Sequence, residues 1–154
     1  KSYCKTASLI ANSSRAAGVL SGCNPQQLDS LYQFGRQLGL AFQVVDDILD
    51  FTGSEQQLGK PAASDLATGY LTAPCFYAME EHPELRGLIQ SEFAEDGDLE
   101  RALALVRSSR AIPRTRDLAE TFARESRESL AWLSDSPSKR ALLELPDFVL
   151  SRLY

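Results

Sequence analysis

One long segment with helical apolar periodicity limits the folds that this chain can adopt. Apolar residues recur at intervals of three and four positions from Leu28 to Leu49, which is the spacing of one face of an α-helix. Just before this segment, Asn24-Pro25-Gln26-Gln27 supplies an N-cap, a proline suited to the first helical position and a glutamine that can complete a capping box. The pattern therefore predicts a helix over about 25–52, roughly 42 Å long at about 1.5 Å per residue.

The rest of the chain also favours helices. No convincing period-2 alternation of a strand occurs, and Gly53 to Ser64, with Gly59-Lys60-Pro61 in its middle, has the composition of a loop. The sequence therefore predicts an all-α fold in which residues 1–154 form a single domain. The other predicted helices cover Tyr3 to Leu20, Pro74 to the residue before Pro83, Glu84 to Phe93, Leu99 to Ser109, Arg114 to Ser134, Ser138 to Leu145, and a short terminal stretch from Asp147.

Three carboxylates lie near the end of the long predicted helix. Asp46 and Asp50 are four positions apart and share a helix face, whereas Asp47 points about 100° away. No Lys or Arg lies within four residues of any of them, so no local salt bridge offsets their repulsion and desolvation. A hard divalent cation would offset the repulsion between the carboxylates. Mg²⁺ is usually held by one or two carboxylates, several waters and a substrate phosphate. A solvated acidic edge on an amphipathic helix is the alternative interpretation.

Apolar residues cover most of the circumference of the same helix. This favours a central position for the helix, with the carboxylates at the wall of a cavity. The apolar residues form two stripes, one of Phe42, Val45 and Leu49 and another of Leu38, Ala41, Val44 and Ile48.

The composition is that of one globular domain and argues against several classes of protein. Of the 154 residues, 44% are hydrophobic and 24% charged, and the formal net charge of −5 argues against a nucleic-acid partner. No apolar run reaches about 18 residues, so no transmembrane segment is predicted, and any targeting segment would lie upstream. Cys4, Cys23 and Cys75 lack the spacing of a zinc or redox pair and are predicted to be reduced, mostly buried thiols in a reducing compartment.

The aspartate segment and the loop after it resemble a known family. The run from Gly39 to Asp50, followed by Leu58-Gly59-Lys60-Pro61 and then Asp65, is similar to the second aspartate-rich motif of the trans-isoprenyl diphosphate synthases, or polyprenyl synthetases. Tyr3-Cys4-Lys5-Thr6-Ala7 matches the Lys-Thr motif of the same family. The resemblance implies that the chain is the C-terminal part of an isoprenoid-synthase helical bundle.

Two further stretches extend this resemblance. The sequence from Ile112 to the end is similar to the family's C-terminal helices, so the resemblance covers essentially the whole chain. Thr72-Ala73-Pro74, where many relatives have Thr-Leu-Pro, resembles the long-chain enzymes of plastids and cyanobacteria that are similar to solanesyl diphosphate synthase. This implies a plastid location, with mitochondria or the cytoplasm as alternatives.

The resemblance implies prenyl transfer as the reaction. An allylic diphosphate and isopentenyl diphosphate would condense, with Mg²⁺ as the cofactor, to make a long-chain polyprenyl diphosphate. Asp46 and Asp47 would hold Mg²⁺, and Asp50 would act on the metal directly or through metal-bound water. Because negative charge develops on the departing diphosphate, metal ions and lysines would stabilise it. Asp46, Asp47 and Lys5 are therefore the candidate catalytic residues.

The resemblance also implies a set of substrate-binding residues. Lys5 and Lys60 would contact the allylic diphosphate, and Thr6 and Gln43 would hydrogen-bond nearby. Phe42 would lie close to the isoprenoid carbons and help to keep water from the allylic cation. Without the resemblance, Lys5 and Lys60 would be interpreted as solvated surface charges, and Gln43 as the partner of a backbone group.

The sequence departs from the family pattern in two places. Gly69-Tyr70 stands where many relatives have Gly-Lys, so one lysine donor to the diphosphate is missing. The family has two aspartate-rich motifs on facing helices, whereas this sequence has one Asp-Asp-x-x-Asp and therefore resembles the C-terminal half of a synthase. An N-terminal half or a companion chain would be its partner, in a homo- or hetero-oligomer, and this chain alone is predicted to be inactive. The alternatives are a non-catalytic structural or regulatory subunit and a bare Mg²⁺- or diphosphate-binding domain.

Overall fold

The computed structural model describes residues 2–53 and 63–154, and within these ranges it contains no strand. The prediction of an all-α fold is therefore confirmed. A π-helical turn over Tyr3–Ala7 leads into the first α-helix. The α-helices in chain order are α1 (Ser8–Leu20), α2 (Pro25–Thr52), α3 (Ser64–Ala67), α4 (Ala73–Glu81), α5 (Glu84–Gln90), α6 (Asp98–Ser108), α7 (Ala111–Ser129) and α8 (Pro137–Ser151).

The chain divides into two compact units. The described residues of 1–45 together with 118–154 form the first unit, and those of 46–117 form the second. One boundary falls inside α2 and the other inside α7. The prediction of a single domain over 1–154 stays a prediction. Among the residues described, no helix is both long and apolar enough to cross a membrane.

The N-terminus of α2 is closed by the predicted capping box. The side-chain oxygen of Asn24 accepts a hydrogen bond of 3.0 Å from the backbone N–H of Gln27, and the Gln27 side chain accepts one of 2.9 Å from the backbone N–H of Asn24. Because these donors lie beyond the reach of intrahelical carbonyls, the reciprocal pair fixes where the helix begins. Both predicted ends of the helix, Pro25 and Thr52, are confirmed.

Within the first unit, small residues let the N-terminal helical segment approach α2 closely. A Cβ atom added to Gly35 would lie 2.6 Å from the carbonyl oxygen of Ile10, and one added to Gly39 would lie 2.5 Å from the Cα of Ala7. Ala7 is fully buried. Glycine is therefore required at both positions of α2 by the backbone opposite it.

The second half of α7 also packs on α2 within the first unit. Ser126 is buried and its hydroxyl donates to the backbone carbonyl of Phe34 over 3.1 Å. The side-chain amide of Gln37 donates to Glu125 over 2.6 Å. These polar contacts join residues 92 and 88 positions apart, and they fix the rotation of α7 against α2.

The second unit has its own apolar core at the end of α2. Phe51 is buried there with Leu66 of α3, Leu85 of α5 and Val106 of α6. The guanidinium of Arg107 donates to the backbone carbonyl of Phe51 over 3.3 Å. Carbonyls in the last turn of a helix have no intrahelical donor, so Arg107 provides one for the end of α2.

The boundaries of α7 differ from the prediction. The helix begins at Ala111, three residues before the predicted Arg114. Pro113 is tolerated because it lies in the first turn, where a backbone N–H has no intrahelical acceptor. At the other end, α7 stops at Ser129 and not at Ser134, and the residues that follow form turns.

The predicted break at Pro146 is wrong. The sequence placed one helix up to Leu145 and another from Asp147, but α8 runs continuously through Pro137–Ser151. Pro146 removes one backbone donor and crowds the preceding turn, yet its ring is fully buried beside Val149 on the packed face of α8. Burial of this face therefore outweighs the local cost of the proline.

The single-turn helix α3 was not predicted from the sequence.

Candidate functional site

The three aspartates lie in the last two turns of α2 and are poorly exposed. Asp47 and Asp50 are only 5% and 2% exposed, and Asp46 is half-buried. The apolar side chains between and beside them, Val45, Ile48 and Phe51, are buried as well. Since a carboxylate loses its hydration on burial, this arrangement is costly unless partners stabilise it. A solvated acidic edge is therefore excluded for Asp47 and Asp50.

Asp50 is bound to residues 63–65, and the sequence did not predict these contacts. Its Oδ1 accepts a hydrogen bond of 3.1 Å from the Ser64 hydroxyl, and its Oδ2 accepts one of 3.2 Å from the backbone N–H of Asp65. Its backbone carbonyl also accepts a bond of 2.6 Å from the N–H of Ala63. The Asp-x-x-Asp spacing carries no signal for these contacts, because the donors lie 13 to 15 positions further along the chain.

The predicted Lys-Thr motif lies in the π-helical turn. Lys5 is exposed, whereas Thr6 is half-buried and its hydroxyl donates to the Gln43 side-chain oxygen over 3.0 Å. Gln43 is 5% exposed. The structure thus brings together two residues, 37 positions apart, that the sequence assigned to one site. Single π-helical turns are rare and often occur at functional sites.

A tyrosine pair opens this turn. The hydroxyl oxygens of Tyr3 and Tyr32 are 2.5 Å apart. The hydrogen bond with Tyr32 is the largest cause that raises the pKa of Tyr3 above the usual tyrosine value. The pair connects the first residue of the π-helical turn to α2, and neither tyrosine was singled out from the sequence.

Phe42 is half-buried and lies under a cation from the C-terminal end of the chain. The guanidinium carbon of Arg152 is 4.7 Å from the centre of the Phe42 ring. This distance is typical of a cation–π contact. Arg152 was missed by sequence reasoning, since nothing in the local pattern connects it to a residue 110 positions earlier. The predicted site residue Lys60 lies outside the described residues.

The carboxylate oxygens at the end of α2 are possible ligands of a divalent cation. In residues 2–53 and 63–154, no group of three His, Cys, Asp or Glu side chains is arranged to hold a metal ion. The adjacent pair Asp46 and Asp47 offers carboxylate oxygens, and Mg²⁺ commonly takes one or two such ligands and completes its shell with water and phosphate oxygens. The residues present therefore fit Mg²⁺ as a metal shared with a phosphorylated ligand.

A buried thiol lies near the aspartates in the second unit. Burial raises the pKa of Cys75, and the negative charges of Asp47 and Asp50 raise it further. The thiol therefore stays protonated at neutral pH and adds no charge to the carboxylates. Cys4, Cys23 and Cys75 are all free thiols, as predicted, but the prediction that they are mostly buried is wrong, since only Cys75 is buried and Cys4 is exposed.

Comparison with known proteins identifies the family. Residues 1–106 match the sequence profile of the polyprenyl synthetases. The chain belongs to the polyprenyl synthetase family. It is similar to a prenyl transferase of Synechocystis, with 55% identity over the whole chain and 48% of that protein. It is also similar to the chloroplastic solanesyl diphosphate synthase 2 of Arabidopsis thaliana, with 48% identity over 99% of the chain and 37% of that protein.

Solved structures of polyprenyl synthetases have the same fold. A medium/long-chain prenyl pyrophosphate synthase of Arabidopsis, in its apo form, superposes with a TM-score of 0.89 and 39% identity, over 99% of this chain and 53% of that one. A polyprenyl synthase of Caulobacter crescentus, complexed with calcium and isoprenyl diphosphate, gives a TM-score of 0.84 and 34% identity, over 97% of this chain and 47% of that one. The chain thus spans about half the length of the proteins it matches. The resemblance inferred from the sequence, and the helical-bundle fold it implied, are confirmed.

Proposed function

We propose that this chain is the C-terminal half of the catalytic domain of a long-chain polyprenyl diphosphate synthase. The observation that carries the proposal is the burial of Asp47 and Asp50 beside the half-buried Asp46 at the end of α2, in a chain of the polyprenyl synthetase family. Relatives named prenyl transferase and solanesyl diphosphate synthase support prenyl transfer and a long product. The substrates would be an allylic diphosphate and isopentenyl diphosphate.

In this proposal the carboxylates hold Mg²⁺ against the diphosphate. Asp46 and Asp47 are the proposed ligands, and water and diphosphate oxygens fill the other positions. When bound, Mg²⁺ supplies neutralisation of the charge on the departing diphosphate. The calcium and isoprenyl diphosphate bound to the Caulobacter relative support a cation and a diphosphate as joint ligands of this fold.

The proposed reaction needs no cofactor other than Mg²⁺. The C–O bond of the allylic diphosphate breaks and leaves an allylic cation, the double bond of isopentenyl diphosphate attacks this cation, and a C–C bond forms. Loss of one proton, taken up by the released diphosphate, restores a double bond. The chain's task is therefore to bind two anionic substrates, stabilise a leaving group and keep water out.

Most of the proposed substrate-binding residues, namely Lys5, Thr6, Phe42 and Gln43, lie in the first unit. Lys5 is exposed on the π-helical turn, so its ammonium group is accessible to a diphosphate, and Lys60 is proposed as a second contact. The hydrogen bond from Thr6 to Gln43 fixes the amide of Gln43 beside the proposed position of the isoprenoid. Phe42 adds an aromatic surface that can lie against an allylic cation.

We also propose that a second half completes the enzyme. The family's other aspartate-rich motif is missing from these 154 residues, so one carboxylate cluster would hold only one side of the diphosphate. Three exposed apolar residues of α1 support the proposal that a partner covers this helix. Leu9, Val19 and Leu20 are 75%, 58% and 90% exposed. The complete protein is proposed to be a homo- or hetero-oligomer. The chloroplastic relative supports a plastid location, with mitochondria and the cytoplasm as the alternatives.

A chimera with the Synechocystis relative tests this function. The 154-residue chain would replace the matching part of that protein, which is 55% identical to it. We expect the chimera to elongate farnesyl diphosphate with isopentenyl diphosphate in a Mg²⁺-dependent manner, and the chain alone to show no elongation. The unaltered relative is the positive control, and a chimera with Asp47→Asn is the negative control.

Two outcomes would contradict the proposal. Elongation by the isolated chain would remove the need for a second half. A chimera that folds like its parent by circular dichroism and binds Mg²⁺ and diphosphate, but does not elongate, would favour the non-catalytic subunit.

A further inference from the structure

The contacts of Asp50 tie together two parts of the second unit. One oxygen of its carboxylate accepts from the Ser64 hydroxyl at 3.1 Å, the other accepts from the N–H of Asp65 at 3.2 Å, and its backbone carbonyl accepts from Ala63 at 2.6 Å. Its side chain is 2% exposed. One residue of α2 thus holds three consecutive residues at the start of the second described range, 63–154.

The geometry of Ala63 depends on this attachment. Ala63 has a φ of +55°, in the left-handed region that a residue with a Cβ rarely adopts. It is also fully buried, and its N–H is the one bound by Asp50. A strained backbone persists only where its surroundings determine it. The hydrogen bonds of Asp50 and the burial of the Ala63 methyl group are the surroundings that do so here.

Both carboxylate oxygens of Asp50 are therefore already engaged. The N–H of Asp65 lies in the first turn of α3, where no intrahelical acceptor exists, and the carboxylate supplies the missing acceptor. A cation that drew Asp50 into its shell would compete with the donors Ser64 and Asp65. Losing these hydrogen bonds would leave buried polar groups unsatisfied, which is more costly than losing exposed ones.

We propose that Asp50 is a positioning residue rather than a metal ligand. Its carboxylate holds Ser64 and Asp65 against the carboxylate end of α2, and it acts on the Mg²⁺ site through the position of this segment. The part of the inference that concerns metal rests on the proposed function, in which Asp46 and Asp47 hold Mg²⁺. The structural part, the attachment of residues 63–65, does not.

The substitution Asp50→Asn distinguishes a positioning role from a role as a metal ligand. Asp50→Asn keeps a side-chain oxygen that can accept from Asp65, and its NH₂ group can donate to the Ser64 oxygen. It removes the negative charge that a Mg²⁺ ligand needs. Asp50→Ala removes the charge and the hydrogen bonds together. A positioning role therefore tolerates asparagine much better than alanine, whereas a ligand role tolerates neither.

Melting temperatures of the metal-free 154-residue chain test the attachment. We expect Asp50→Ala to melt well below the wild type and Asp50→Asn to melt between the two. Ser64→Ala should lower the melting temperature by about 2–4 °C, the effect of roughly one lost hydrogen bond in a chain of this size, and Ser64→Thr should restore it. The control is Ser91→Ala, since the Ser91 hydroxyl is exposed and donates only to a helix-end carbonyl. An unchanged or raised melting temperature in Asp50→Ala would overturn the inference.

Calorimetric titration with Mg²⁺ in the presence of inorganic diphosphate tests the metal part. We expect Asp50→Asn to change the dissociation constant of Mg²⁺ by less than about threefold and Asp47→Asn to weaken binding by about tenfold or more, since one carboxylate ligand lost is worth at least about 1.4 kcal/mol. Equal weakening in both variants would make Asp50 a ligand and overturn the proposal. If Asp46→Asn and Asp47→Asn also leave Mg²⁺ binding unchanged, the proposed metal site fails, while the melting temperatures still decide the role of Asp50.

Discussion

The hydroxyl of Thr6 donates a hydrogen bond of 3.0 Å to the side-chain oxygen of Gln43, and so joins the π-helical turn to α2. Gln43 is 5% exposed, so loss of the donor would leave a buried carbonyl oxygen with one partner fewer. We expect Thr6→Val, which keeps the shape but not the hydroxyl, to lower the free energy of unfolding by about 1–3 kcal/mol. Denaturant unfolding measures this loss, and Thr6→Ser, which keeps the donor, is the control.

The same pair makes a kinetic prediction for the chimera. If the amide of Gln43 has to be oriented for the allylic substrate, Thr6→Val should lower kcat more than it raises KM, and Thr6→Ser should keep most of the wild-type kcat. Equal kinetic constants in Thr6→Val and the wild type would contradict a role for this hydrogen bond at the substrate.

We predict that adding one methyl group at Gly39 has a large effect on the free energy of unfolding. An added Cβ would lie 2.5 Å from the Cα of Ala7, a distance that backbone atoms cannot accommodate without moving. We expect Gly39→Ala to lower the free energy of unfolding by about 1–3 kcal/mol or more through overpacking, and to displace the turn that carries Lys5 and Thr6. The matched control is Gly87→Ala, since nothing lies within 4 Å of a Cβ added there, and alanine in a helix should stabilise it by up to about 1 kcal/mol.

The aspartates are predicted to differ in their effects on turnover and on stability. In the chimera, Asp46→Ala or Asp47→Ala should reduce kcat by about 100-fold or more, because a charge-stabilising group of the transition state is lost. Asp50→Ala should reduce it less. Without Mg²⁺, removing one of several repelling carboxylates at Asp46 or Asp47 should leave the melting temperature unchanged or raise it. Unchanged turnover in Asp46→Ala would eliminate the metal-site hypothesis.

The buried thiol of Cys75 predicts a pH dependence. Its pKa is raised above the ordinary value of 9.0, chiefly by burial. A pKa that is higher in the folded than in the unfolded chain favours folding below the unfolded value, and this contribution is lost as pH rises through and above about 9. We expect the free energy of unfolding to fall less steeply between about pH 9 and pH 11 in Cys75→Ala than in the wild type. Cys4→Ala, which changes an exposed thiol, should leave the slope unaltered.

Local signals in the sequence predicted the ends of α2 correctly. Asn24 and Gln27 form the reciprocal capping pair that their spacing implied, because a capping box requires only residues within one turn. One of the two predicted apolar stripes of α2 is buried throughout, at Leu38, Ala41, Val44 and Ile48, whereas Phe42 and Leu49 of the other stripe are half-buried. Features that depend on a few neighbouring residues were therefore predictable.

Features that depend on distant packing were not predictable. Pro146 has the local signature of a helix break, yet its burial in α8 decides otherwise. The contacts of Asp50 with Ser64 and of Phe42 with Arg152 join positions that no periodic pattern relates. The assignment of residues to the candidate site stays a prediction, and nothing in the sequence indicated the contacts that hold Asp50 and Phe42 in place.

The position of the aspartates at the end of α2 has an electrostatic consequence. The carbonyl ends of the aligned peptide dipoles give the C-terminus of a helix a partial negative charge, and Asp46, Asp47 and Asp50 lie within the last seven residues of a helix that ends at Thr52. Peptide and side-chain fields therefore have the same sign there. A cation at the end of α2 is attracted by both fields, and this attraction should weaken as ionic strength shortens the Debye length.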